Sequence, residues 1–99
     1  MLQQQSILDN RTKQKLKVRG QRLEPSAQVG KAGVTDGVTR NVIQLLEQSD
    51  LLKVRLPGIS PAERRDLADQ LARETEATVL HRVGRTILLY KEREEQTFP

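Results

Sequence analysis

The chain of 99 residues is long enough for one domain but too short for two independently packed cores. It contains no cysteine, which excludes disulfide bonds, thiolate metal sites and thiol nucleophiles and favours a cytoplasmic location. The net charge of +4 is modest, and no apolar segment is long enough to span a bilayer.

The first predicted element is a helix over residues 10–23, in which Leu16, Gly20 and Leu23 recur at helical spacing. Residues 11–31 contain seven basic side chains and one acid, a pattern that fits either a site for a polyanion or a solvated helix face. At about 100° per residue, basic side chains line both flanks of the apolar stripe. One flank carries Arg11, Lys15, Arg19 and Arg22, and the other carries Lys13 and Lys17.

The next segment contains a predicted turn with two glycines. Residues 26–29 form a short predicted strand that leads into Gly30, Lys31, Ala32 and Gly33. Glycine has no Cβ atom, so its backbone can approach a phosphate closely, and Lys31 would add a positive charge. Strand-to-helix turns commonly need glycine for a positive φ even where no ligand binds. Taken alone, the motif therefore favours a structural turn.

An amphipathic helix follows this turn. Thr35 or Asp36 can cap its first turn, and the helix is predicted to end near Ser49. Its apolar stripe consists of Val38, Val42, Leu45 and Leu46.

The next strand and helix have clear local patterns. Residues 51–57, LLKVRLP, alternate apolar and basic side chains, as in a strand with one covered face. Ser60, Pro61 and Glu63 then predict a capping box with proline at the first helical position. The buried stripe of this third helix is predicted to be Leu67, Ala68, Leu71, Ala72 and Thr75.

A hairpin of residues 78–83 and 86–91 is predicted next, because the Gly84-Arg85 pair favours a type II′ turn. The fold class is α/β, a single domain α-β-α-β-α-β-β with a core of about residues 10–91 and flexible termini. Two strand-helix-strand units in series imply parallel pairing with right-handed crossovers, and the hairpin adds an antiparallel strand. The result is a mixed four-stranded sheet packed with three helices.

This topology predicts that the glycine turn and the basic residues converge. In such sheets, ligands gather beyond the carboxyl ends of the parallel strands, where the turn of residues 30–33 is expected. The Arg85 turn is expected at the same end of the sheet. The N-terminal end of the first helix, with Arg11, Lys13 and Lys15, is expected there as well.

Several nucleotide-binding and catalytic motifs are missing from the sequence. Lys31 is followed by alanine, so there is no Walker A motif, and the third glycine of a dinucleotide fingerprint is absent. His81 is the only histidine and falls in a strand, where a surface or half-buried structural role is typical. Asp66 and Asp69 lie on an arginine-rich helix, which favours solvated ion pairs over acid–base catalysis. No cluster of metal-ligand residues is evident.

Three segments resemble a known family. LEPSAQVGKAGVTDGV, LLKVRLP and VGRTILLYK are similar to the CRM domain (chloroplast RNA splicing and ribosome maturation) in its small stand-alone bacterial form, the YhbY-like proteins. The resemblance extends from about Thr12 to Lys91, although Arg82 occupies a position that is often aliphatic in the family. It implies an RNA-binding protein that associates with precursors of the large ribosomal subunit. The family pattern implies RNA contacts from a KH-like GxxG loop, residues 30–33, and from the basic first helix.

The sequence therefore predicts an RNA-binding protein that assists ribosome assembly as a cytoplasmic monomer, without catalytic activity, cofactor, metal, membrane or small-molecule substrate. Recognition is expected to depend on the phosphate backbone and RNA shape more than on bases. The alternative is a protein-interaction module that docks onto a ribosomal or assembly protein. The residues predicted to contact RNA are Gly30, Lys31, Ala32, Gly33, Arg11, Lys13, Lys15, Lys17, Arg19, Arg22 and Arg85.

Overall fold

The computed structural model describes residues 9–92, which form three helices and one four-stranded sheet. Along the chain, the helices and strands follow one another as predicted. The predicted flexibility of the termini concerns residues outside this described range. Within it, no helix combines the length and the apolar character needed to cross a membrane. The elements are α1 (Asn10–Gln21), β1 (Ala27–Gln28), α2 (Asp36–Gln48), β2 (Leu51–Arg55), α3 (Pro61–Thr75), β3 (Thr78–Val83) and β4 (Thr86–Tyr90).

Side-chain caps determine where the helices begin. The Ser60 hydroxyl accepts a hydrogen bond from the Glu63 N–H, and the Glu63 carboxylate accepts one from the Ser60 N–H, both at 3.1 Å. The predicted capping box is therefore confirmed. Thr35 caps α2, because its Oγ1 accepts a hydrogen bond from the Val38 N–H at 3.2 Å.

The strands lie in the order β1-β2-β4-β3. β1 pairs with β2 in parallel, whereas β4 pairs antiparallel with both β2 and β3. The prediction of a second parallel pair is therefore wrong, because β4 lies between β2 and β3. Residues 87–90 of β4 are buried on both faces of the sheet, and such a strand is best accommodated in the middle.

Each face of the sheet has its own cluster of buried side chains. α2 and α3 cover one face, where Leu71 and Leu89 are fully buried. α1 covers part of the other face, where Leu16 packs against Leu88 and Tyr90. The prediction that β2 has only one covered face is therefore wrong, because Leu51 at its start is buried in the second cluster.

α1 approaches the sheet closely at one glycine. A Cβ atom at Gly20 would lie 2.5 Å from Cδ2 of Leu88, so a larger side chain cannot fit unless Leu88 moves. The helix ends at Gln21, earlier than predicted, and Leu23 lies outside it with 38% of its surface exposed. Since α1 contacts both β2 and β3, which lie on either side of β4, the helix crosses the sheet over β4.

The two ends of the sheet have different neighbours. At one end, named here the loop end, β1 and β2 finish and the β3–β4 hairpin turns. Gly84 has a φ of 58° and Arg85 has no positive φ, as a type II′ turn requires. At the other, distal end, the Lys91 N–H donates a hydrogen bond to the Asp50 carbonyl at 3.0 Å. The turn that starts at Gly30 and the hairpin turn lie together at the loop end, as predicted.

Candidate nucleic-acid interface

Residues 30–33 form a tight turn at the loop end. The Gly33 N–H donates a hydrogen bond to the Gly30 carbonyl at 3.0 Å, and Lys31 and Ala32 at the tip are exposed. Gly33 has a φ of 82°, a conformation that strongly favours glycine. The backbone of the turn therefore explains one of the two glycines.

Gly30 has no such explanation within the fold. Its φ is not positive, and a Cβ atom added to it would meet nothing within 4 Å beyond its two chain neighbours. Neither conformation nor packing among the described residues requires glycine at this position. Its backbone faces open space, and this is the property that close approach of a phosphate needs.

The N-terminus of α2 directly follows this turn, but its first turn is already capped and carries an acidic side chain. The Thr35 hydroxyl occupies the Val38 N–H, and Asp36 places a carboxylate in the first turn. An acidic side chain at this position offsets the attraction of the helix dipole for an anion. The positive charge of the turn therefore comes from Lys31.

At the loop end, Arg55 lies beside the turn and Arg85 lies one strand further along the sheet. The Val29 N–H donates a hydrogen bond to the Arg55 carbonyl at 2.9 Å, and the Leu56 N–H donates one to the Arg85 carbonyl at 2.7 Å. β1 and β4 therefore flank β2, two strand spacings or about 10 Å apart. The Arg85 Nε also donates to the Leu56 carbonyl at 3.3 Å, which holds this exposed arginine at the loop end.

The first basic flank of α1 does not converge on the turn as a unit. The Arg19 Nη2 lies 3.1 Å from the Asp50 Oδ1, which places this guanidinium at the distal end. Arg19 therefore does not lie at the loop end with the turn and Arg85. Arg11 and Lys15 are exposed on α1, and Arg22, the residue directly after the helix, is exposed as well.

The second flank of α1 borders an open groove beside the hairpin. Lys17 lines this groove together with Lys53 and His81, and Lys13 lies one turn earlier on the helix, partly buried. The end of α1 that approaches the hairpin is thus its C-terminal half, whereas the N-terminal end was predicted to lie there. The reason is that α1 crosses the sheet instead of running alongside a strand.

The arginines of α3 were not among the predicted site residues. Arg64 and Arg65 line a second cleft, of about 210 Å³, together with Arg82 of β3. Asp69 forms an exposed ion pair, as predicted, but its partner at 3.1 Å is Arg82 of β3 and not an arginine of its own helix. Two adjacent arginines directly after the capping box were a local signal for a basic surface on α3. The cleft itself could not be predicted, because it forms only where the hairpin packs beside this helix.

The chain is similar to known proteins over most of its length. The family model of the CRS1/YhbY (CRM) domain matches residues 8–91. The "Probable RNA-binding protein YqeI" of Bacillus subtilis is 32% identical over 89 residues, which cover 90% of this chain and 93% of that protein. An "RNA-binding protein" of Haemophilus influenzae is 30% identical over 90 residues, covering 91% of each. The solution structure of the hypothetical protein SAV1595 from Staphylococcus aureus shares the fold, with a TM-score of 0.79 and 24% identity, and the match covers 92% of this chain and 95% of that one.

Proposed function

Since the chain belongs to the CRS1/YhbY (CRM) domain family, we propose that it binds RNA through the turn of residues 30–33 and the basic surface of α1. The bare backbone at Gly30 carries the proposal, because the described part of the fold does not require glycine there. The bacterial relatives, matched over most of their length, are named as RNA-binding proteins and not as enzymes. The proposed function therefore has no catalytic step and no cofactor.

Binding at the turn combines close approach with charge neutralisation. A phosphate can reach the Gly30 backbone without meeting a Cβ atom, while the Lys31 side chain is exposed at the tip of the same turn. Arg85 adds a guanidinium at the loop end, where it can donate to phosphate oxygens. Contacts of this kind position an RNA and recognise its shape, but they distinguish poorly between bases.

We further infer that the RNA is ribosomal, within a precursor of the large subunit, and that the protein assists ribosome assembly in the cytoplasm as a monomer. The support for this target is the resemblance to the small stand-alone members of the family.

Crosslinking in cells, followed by sequencing of the attached RNA, tests both levels of the proposal. We expect the recovered fragments to map mainly to the large-subunit ribosomal RNA and its precursor sequences. RNA without this enrichment would contradict the target while leaving RNA binding in place. Recovery of ribosomal or assembly proteins without RNA would favour the protein-interaction module instead.

The double substitution Arg11→Ala with Lys15→Ala tests the contribution of α1. We expect RNA affinity to fall about fivefold for unrelated sequences, because both side chains are exposed and would contact phosphates. The melting temperature should change little, since neither side chain forms a salt bridge with another described residue. Arg73→Ala, which removes an exposed charge from α3 on the opposite face, is the control. Normal RNA binding by a less stable double variant would show that this flank serves the fold.

A further inference from the structure

α1 covers only part of its face of the sheet and leaves the groove beside it open. This groove, named here the sheet groove, has a volume of about 220 Å³ and lies between the second half of α1 and the β3–β4 hairpin. Lys17 and Gly20 form the helix side of the groove. Because Gly20 packs directly against Leu88, the wall and the floor of the groove meet without an intervening side chain.

The strand register determines which side chains face the sheet groove. β4 supplies the floor of the groove, and β2 supplies a lysine on one side of it. On the other side, β3 supplies the His81 ring and the apolar side chain of Val83, which is 58% exposed. Two rows of side chains cross the three strands. Lys53, Leu88 and His81 form one row, and Arg55, Thr86 and Val83 form the next row towards the loop end.

The two lysines of the sheet groove and the His81 ring have no side-chain partners among the described residues. No salt bridge or side-chain hydrogen bond between described residues uses Lys17, Lys53 or His81. Within the described range, the lining of the groove contains no acidic side chain. An apolar floor between unpaired cations suits a ligand with a flat ring and attached negative charges, and a nucleotide has this chemistry.

The sheet groove is continuous with the loop end. Arg55 belongs to the row nearest that end, and its carbonyl accepts a hydrogen bond from the N–H of Val29, the residue before Gly30. Arg55 therefore lies between the turn and the groove, where its exposed side chain can contact an RNA strand that joins the two.

We propose that the sheet groove binds one unstacked nucleotide of single-stranded RNA, with its base against Leu88 and the His81 ring and its phosphates beside Lys17 and Lys53. This assignment rests on the proposed function, because the strand that enters the groove is the strand held at the turn. Tyr90 is buried, so His81 is the aromatic ring in the described part of the chain that a base can reach. Stacking on a ring tolerates every base, so the groove adds affinity for unpaired RNA without a sequence preference.

Comparing the affinities of the full chain for a short single-stranded RNA and for a duplex of the same sequence tests this assignment. We expect His81→Ala to weaken binding of the single strand by about fivefold or more and to leave duplex binding unchanged, because a paired base cannot enter the groove. His81→Phe retains a ring and should bind the single strand as the unmodified protein does. Lys53→Gln should also weaken single-strand binding, whereas Arg73→Gln, an equal charge change on the opposite face, should not.

The outcomes separate this assignment from the proposed function. If the unmodified protein binds neither RNA, the proposed function itself fails. If the unmodified protein binds RNA and both His81→Ala and Lys53→Gln retain full single-strand affinity, the nucleotide site is overturned and the proposed function stands. Equal losses on single strand and duplex, or a loss in His81→Phe as large as that in His81→Ala, would also overturn it. The ratio of the two affinities is the readout, because partial unfolding of a variant lowers both affinities together.

Discussion

RNA affinity should fall about a thousandfold to ten-thousandfold when the salt concentration is raised tenfold, because the proposed contacts are directed mainly to phosphates. Each neutralised phosphate releases counterions, and salt opposes this release. For about five contacts on a single strand, at roughly 0.7 per phosphate, the slope of log affinity against log salt is expected to be about −3 to −4. Titrations of a labelled RNA at several salt concentrations measure this slope.

Single charge substitutions show which residues contribute to this salt dependence. Lys31→Gln should make the slope shallower by about 0.7, because one phosphate contact is lost. Arg73→Gln removes the same charge from a remote surface and should leave the slope unchanged. A slope near zero for the unmodified protein would contradict phosphate-directed binding, and an unchanged slope in Lys31→Gln would exclude that lysine from the interface.

Ala32→Asp should lower RNA affinity by about tenfold or more while the melting temperature stays close to that of the unmodified protein. Ala32 is exposed at the tip of the turn, where a carboxylate would face a bound phosphate. Two like charges 4 Å apart repel by about 1 kcal/mol in bulk water and about 4 kcal/mol near a protein surface. Aspartate is well tolerated in turns, so the fold should not change. Affinity and melting temperature are measured on the same preparation.

Two further variants show whether charge or shape is responsible. Gln44→Glu adds the same negative charge on the exposed surface of α2 and should leave RNA affinity nearly unchanged. Gly30→Ala adds only a methyl group, which the fold accommodates, and should weaken RNA binding without loss of stability. If Ala32→Asp and Gly30→Ala both bind RNA normally in the folded state, residues 30–33 are only a connection between β1 and α2.

The helices could be predicted well because their signals are local. The capping box at Ser60 involves residues three apart, and the structure forms both of its hydrogen bonds. The end of α1 was less predictable, since the spacing of Leu23 continues the apolar stripe. In the structure, the Leu23 N–H still bonds to the Gly20 carbonyl at 3.1 Å, but Leu23 is exposed and belongs to neither buried cluster. Apolar spacing alone therefore does not locate a helix end.

The strand order could not be predicted from element order, because pairing partners are chosen by long-range packing. One signal was nevertheless present in TILLY, residues 86–90, where apolar side chains follow one another without alternation. A continuous apolar run is typical of a strand covered on both faces. β3 carries the polar side chains of His81 and Arg82 in its second half, as suits an edge strand.

The candidate site was predicted in part. The turn of residues 30–33 and Arg85 lie at the same end of the sheet, because β1 pairs with β2 in parallel and β4 pairs with β2 antiparallel, so that the start of β4 lies beside the end of β2. The position of Arg19 could not be predicted, since its partner Asp50 is 31 residues away in sequence. The role proposed for His81 also depends on its register opposite Leu88, which includes an irregularity in β3 that the sequence does not reveal.

The position of β4 has a consequence for how the protein folds during its synthesis. β4 is the last of the described strands along the chain, yet it lies inside the sheet and supplies Ile87 and Leu89 to one buried cluster and Leu88 and Tyr90 to the other. A nascent chain that stops before β4 therefore cannot join β2 to β3, and neither α1 nor α3 has a complete surface on which to pack. Contacts between such distant segments form late in folding. The domain is thus expected to remain open during most of its translation and to close only after β4 has left the ribosome.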